Sequence, residues 1–95
     1  MQHPIQHQDT QASGGFYIHS NGQTIAEMTY IRSGAATVVV DHTFVDPSLR
    51  GQGVARQLLD ALVAWARATN TKVVPECSYA VAQFAQDPSI ADVLA

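Results

Sequence analysis

Residues 35–68 read AATVVVDHTFVDPSLRGQGVARQLLDALVAWARA, and the spacing of their apolar residues changes in the middle. Ala35 to Phe44 is rich in Val and Thr, β-branched residues that suit a pleated strand. Asp46-Pro47-Ser48 punctuates its end, because proline cannot continue a hydrogen-bonded ladder. From Val54 to Ala68 the period becomes helical. Ala55, Leu58, Leu59, Leu62, Trp65 and Ala66 recur at three and four, with Arg56, Asp60, Ala64 and Arg67 on the other side. Thr69-Asn70 ends the helix, since asparagine tolerates a left-handed cap. Lys72-Val73-Val74 then reads as a strand halted by Pro75. Strand, helix and strand make a β-α-β crossover, whose two strands are expected to lie parallel and adjacent.

Working outward, Phe16 and Ile18 alternate with Tyr17 and His19, a short strand. Ser20-Asn21-Gly22-Gln23 carries Asn-Gly, the strongest two-residue hairpin signal. Thr24 to Ile31 alternates again, and Ser33-Gly34 turns the chain into the Val-rich strand. Beyond Pro75, Ser78 is the expected N-cap of a helix over Tyr79 to Ala85. Asp87-Pro88-Ser89 breaks it, and Ile90, Val93 and Leu94 suggest a closing turn. The order β-β-β-α-β-α gives an α+β fold, an α/β sandwich. A three-stranded antiparallel meander feeds the β-α-β crossover and a C-terminal helix.

Residues 1–15 read as a flexible tail, with Ile5 their only large apolar residue, and 16–95 as a single domain. His3 and His7 stand four apart, but Pro4 lies between them, so no metal site is expected. Ninety-five residues exclude a two-domain enzyme with separate cofactor and substrate lobes. A net charge of -3 with five Lys+Arg leaves no basic face for nucleic acid. The single cysteine, Cys77, can form no disulfide within the chain. Neither a signal peptide nor a membrane-length apolar run is visible, so a cytoplasmic protein without a membrane role is expected.

The chemistry concentrates in Arg50-Gly51-Gln52-Gly53-Val54-Ala55-Arg56, between a strand and a helix start. A helix N-terminus offers unpaired N–H groups and the positive end of a dipole. Two glycines let backbone approach an anion, and two arginines bracket the turn. This is a diphosphate cradle on physical grounds. A P-loop is excluded, since no Gly-Lys-Ser/Thr follows. A dinucleotide fingerprint is excluded too: Arg56 stands where its third glycine belongs, and six residues, Val45 to Arg50, separate strand from Gly51.

Arg50, Gly53 and Ala55 match Gln/Arg-x-x-Gly-x-Gly/Ala without a gap. In this the chain resembles the GNAT superfamily of acetyl-CoA-dependent N-acetyltransferases, whose pyrophosphate signature that is. Val40 to Pro47, Leu49 to Ala55 and Lys72 to Tyr79 resemble, more narrowly, the short stand-alone GNAT-like proteins. Those carry His-Thr-x-Val before the cradle and Cys-Pro-Tyr after the last strand. Ser78 replaces that proline here, and Asp87-Pro88-Ser89-Ile90 stands where those proteins have His-Pro-Glu-Tyr.

The resemblance implies acetyl-CoA or CoA on Arg50, Gly51, Gln52, Gly53, Val54, Ala55 and Arg56, with its pantetheine arm beside Thr43, Phe44 and Val45. It places the thioester between the third and fourth strands, next to Cys77 and Tyr79. Tyr79 would be the acid for the leaving thiolate, and His42 a base for the incoming ammonium. The acceptor would be an amine on a small molecule or a protein. Two other functions compete: a module that holds CoA without fast turnover, and a redox-sensitive CoA carrier through Cys77.

Overall fold

A computed structural model describes residues 3–95 and carries strands where the alternation placed them, plus one more. The strands are β1 (Gln6–Asp9), β2 (Ser13–Ser20), β3 (Gln23–Arg32), β4 (Thr37–Val45) and β5 (Lys72–Pro75). They form one sheet in the order β1-β2-β3-β4-β5. The first four make an antiparallel meander, and β4 pairs β5 in parallel. Helix α1 (Val54–Thr69) is the crossover, and α2 (Ser78–Gln86) follows β5. Short 3₁₀ turns cover Pro47–Leu49 and Pro88–Val93. The fold is therefore the expected α+β arrangement with a mixed sheet.

Helix α1 buries Val54, Leu58, Leu59, Leu62, Val63 and Ala66. They meet Ile18, Met28, Tyr30, Val38 and Val40 from the sheet in one core. Each fully buried apolar side chain of this size stabilises by about 1.5–3 kcal/mol. Asn70 closes α1 at φ 55°, its N–H bonding the Ala66 and Arg67 carbonyls. Helix α2 packs on the same side, adding Ala80 and Phe84 to the core. The opposite sheet face alternates with these buried positions and leaves Ile31 and Phe44 50% and 41% exposed. At the outer side of β5, Leu94 bridges Val73 in parallel, and the Ala95 N–H donates to the Val73 carbonyl at 3.0 Å.

Two expectations are corrected. The expected tail over residues 1–15 instead contains strand: β1 lies within it, and β2 begins at Ser13 (Met1 and Gln2 lie outside the described residues). The reason is chemistry supplied from elsewhere in the chain. The His7 ring stacks on Phe16 with centroids 4.1 Å apart, and His7 Nε2 lies 2.8 Å from the Tyr30 hydroxyl. That hydroxyl donates to Asp9 at 2.7 Å, and Arg32 donates to the same carboxylate at 2.6 Å. Gly14 permits this closeness, since a Cβ there would fall 2.4 Å from the Tyr30 oxygen and from the Gln8 carbonyl. The N-cap of α2 is also Cys77 rather than Ser78: its sulfur accepts from the Ala80 N–H at 3.4 Å.

Candidate functional site

The site begins with a fault in the ladder. Between Thr29 and Tyr30 the β3–β4 register slips by one, so Thr29 faces His42, Tyr30 faces Val40, and Asp41 is left over. Such a bulge bends its strand. Pairing of β4 with β5 stops just there, at Val40 and Pro75. The Val40 carbonyl accepts from both the Glu76 and Cys77 N–H groups, at 2.9 and 3.0 Å. Beyond it, residues 41–45 of β4 run on with no β5 partner.

Which groups face this gap follows from antiparallel pairing. Asp46 N–H bonds the Ile25 carbonyl, so the residues that exchange bonds with β3 are Asp46, then Phe44. The backbone of Thr43 and Val45 consequently points toward the gap. The Phe44 backbone is used on β3, and its ring stands exposed.

The cradle follows directly. Asp46 caps the 3₁₀ turn by accepting from the Ser48 N–H at 2.9 Å, and buried Leu49 anchors it. Gly51 and Gly53 then take φ of 80° and 71°, left-handed backbone that favours glycine. Gly53 is the N-cap of α1 and offers no side chain to cap it. The first helical bond is Gln57 N–H to the Gly53 carbonyl, so the N–H groups of Val54, Ala55 and Arg56 have no helical partner. A cavity of about 240 Å³ opens here, lined by Val45, Arg50, Gly51, Gly53, Arg56 and Tyr79 among others.

Within it the expected residues differ. Arg50 is exposed, and among the described residues nothing pairs with its guanidinium. Gln52 turns its amide back to the Ser48 carbonyl at 3.4 Å. Arg56 has three partners within the chain: it donates to Asp60 at 2.9 Å, to Gln83 at 2.8 Å and to Asp87. Tyr79 lines the same cavity from α2, and burial raises its phenol above the usual value, so it stays protonated. Cys77 sits across the gap from β4, its sulfur 3.2 Å from Thr43 Oγ1.

The structure therefore brings Thr43, Val45, Cys77, Tyr79 and the Arg50–Arg56 turn to one end of the sheet. His42 stands apart, half-exposed beside exposed Phe44, with Nε2 3.2 Å from Glu27 Oε2. Sequence reasoning missed Glu27, Gln83 and Asp87. Glu27 was signalled only by its place in the alternation of its strand, two positions from Ile25. A larger hollow, about 530 Å³, lies at the other end of the sheet around Asp9, Arg32 and Gly34. Arg32 is there already bonded to Asp9 and the Thr10 carbonyl, which leaves a ligand few donors.

The family model described as GCN5-related N-acetyl-transferase matches residues 15–93. No curated protein matches the chain in sequence. The chain is similar to a GCN5-like protein from Staphylococcus aureus solved by NMR, at 33% identity and a TM-score of 0.74, over 95% of this chain and 87% of that one. It is also similar to a GNAT-family crystal structure from the same organism, at 27% identity and a TM-score of 0.59, over 73% of this chain and 57% of that one. The aminoglycoside N-acetyltransferase AAC(6')-Iy, solved with CoA, shares the fold at 20% identity and a TM-score of 0.56, over 85% of this chain and 68% of that one. Bulged strand, glycine turn and family model agree, and the chain belongs to the GCN5-related N-acetyltransferases.

Proposed function

We propose that this chain transfers an acetyl group from acetyl-CoA to an amine, carried by a small molecule or a protein. The observation that carries the reading is the uncapped start of α1, three N–H groups without helical partners behind Gly53 and beside the unpaired Arg50. That donor set suits a diphosphate. The gap-facing backbone of Thr43 and Val45 suits the amides of a pantetheine arm lying along β4. Acetyl-CoA, when bound, supplies the activated acyl group.

The chain's own residues then orient and move protons. Arg50 and the N–H groups of Val54 and Ala55 fix the diphosphate end. Tyr79, kept neutral by burial, holds a proton for the departing thiolate. His42, oriented by Glu27, stands on the other sheet face as the base for an incoming ammonium. Cys77 lies beside the gap and is either a neighbour of the acyl group or its first acceptor. The lone cysteine and the cofactor both suit a cytoplasmic setting.

A second reading, a module that holds CoA without fast turnover, draws support from the uncovered sheet face, where no helix of the described residues builds an acceptor pocket. Calorimetry with CoA, followed by turnover across a panel of amines, tests both. Binding with turnover supports transfer, and binding with none across the panel supports the module. No heat with CoA rejects both. Iodoacetamide labelling of Cys77 places the gap: acetyl-CoA should slow it, and an unchanged rate would remove Cys77 from the site. A CoA–Cys77 mixed disulfide seen by mass spectrometry would instead favour the carrier.

A further inference from the structure

We propose that Arg56 is a positioning residue: it clamps α2 to the start of α1 and so holds Tyr79 over the cradle. This rests on reading the cavity as the diphosphate site. By sequence, Arg56 is a second phosphate ligand, placed one residue past the signature. Its geometry gives it other work. Nε donates to Asp60 Oδ1, one turn along α1, Nη1 to Gln83 Oε1 on α2, and Nη2 to Asp87 Oδ2 at the end of α2. Two carboxylates and one amide thus surround a single positive charge. A diphosphate brought to that guanidinium would meet Asp60 and Asp87 as well.

Asp87 is fixed from its other side too. Its Oδ1 accepts from the Ser89 N–H at 2.9 Å and the Ser89 hydroxyl at 2.6 Å, capping the 3₁₀ turn Pro88–Val93. Ser89 first and Arg56 next hold its carboxyl down to about 2, so it is ionised at neutral pH. Arg56 therefore ties three elements at one point. Gln83 is four residues after Tyr79, the spacing that puts both on one face of α2. Arg56 and Tyr79 line the same cavity. Fixing Gln83 fixes the ring one turn before it. Arg50, without such partners, is left as the cradle's arginine.

Fluorine-labelled tyrosine tests this in the free protein. The chain has three tyrosines, and Tyr79→Phe assigns the signal of interest. Arg56→Lys keeps the charge but cannot span three acceptors, and Asp87→Asn removes the charged one. In both variants the Tyr79 signal should shift or broaden while those of Tyr17 and Tyr30 hold, the latter two reporting an intact sheet. CoA affinity by calorimetry should fall three- to tenfold in Arg56→Lys and should not rise in Asp87→Asn. Arg50→Gln should cost at least tenfold in affinity and leave the free Tyr79 signal in place. An unmoved Tyr79 signal in both clamp variants overturns the proposal. So does threefold tighter CoA binding by Asp87→Asn, which would show Asp87 competing with phosphate for Arg56. If the unaltered protein gives no heat with CoA, the cradle reading falls, and the tyrosine signal still decides whether the clamp exists.

Discussion

The two ends of the sheet satisfy their polar groups in opposite ways. At the β1 end, the buried Tyr30 places its hydroxyl between His7 and Asp9, Trp65 stacks on the Tyr30 ring at 5.1 Å, and the Arg32 guanidinium lies 5.8 Å from the Trp65 centroid. His7, the Tyr30 hydroxyl and two N–H groups of Arg32 find partners within the chain there. At the Val45 end, a bulge, a strand without a neighbour and an uncapped helix leave N–H groups facing outward. The difference teaches where stability and function separate in so small a fold. One end closes on itself, and the other leaves backbone N–H groups without partners among the described residues.

The largest test of that separation removes the closed end. A chain beginning at Ser13 lacks both partners of the Tyr30 hydroxyl, one of them a carboxylate. It should lose about 3 kcal/mol of stability in urea unfolding, with CoA affinity within twofold of the full chain. Equal stability would show β1 to be ornamental. The open end is tested by Gly53→Val, which puts a β-branched residue at φ 71° and side-chain atoms where the ligand backbone approach is closest. CoA affinity measured by calorimetry should fall about thirtyfold, about 2 kcal/mol, and unchanged affinity would move the cradle elsewhere.

Smaller still is Tyr30→Phe, which deletes the shared hydroxyl and leaves His7 and Asp9 to water. Thermal unfolding should show a loss of about 1 kcal/mol, and no change in CoA binding. The smallest effect is on pH. Burial pushes His7 below its ordinary value of 6.5, against a raising effect of Asp9 and a lesser lowering by Arg32. The unfolded chain therefore binds the His7 proton more readily. Stability should be full above about pH 6.5, and decline as pH falls from there through the folded value. His7→Gln should flatten that decline in melts at pH 7.5 and 5.5, and an identical decline would assign it to another group.

Much of the open end was legible because its signals are local. The Val-rich strand, Asp46-Pro47, the glycines and the amphipathic run of α1 each act on residues a few positions away. The closed end was not. Gln6-His7-Gln8-Asp9 has no apolar alternation, and what orders it arrives from Phe16, Tyr30 and Arg32. The contacts with Tyr30 and Arg32, more than twenty residues away, leave no mark on the segment itself. The same holds for Arg56, whose charge looked available until Asp87 was brought to it from thirty-one positions away. The bulge at Asp41 was equally silent, since nothing in Val40-Asp41-His42 says which residue will be left over. Cys77 displaced Ser78 as the cap because its extended backbone, at φ -70° and ψ 146°, points the sulfur at the Ala80 N–H.

The bridge between Val73 and Leu94 has a bearing on how the protein behaves when concentrated. A sheet with one bare face and two free borders invites self-association through strand addition. Here the β5 border is occupied: Leu94 lies along Val73, Ala95 N–H takes the Val73 carbonyl, and Pro75 has no N–H to offer. The β1 border is only four residues long, polar throughout and closed by Pro4 on one side and the Thr10–Ser13 turn on the other. Neither border presents a long flat ladder to a second molecule, so strand addition at β1 or β5 is disfavoured.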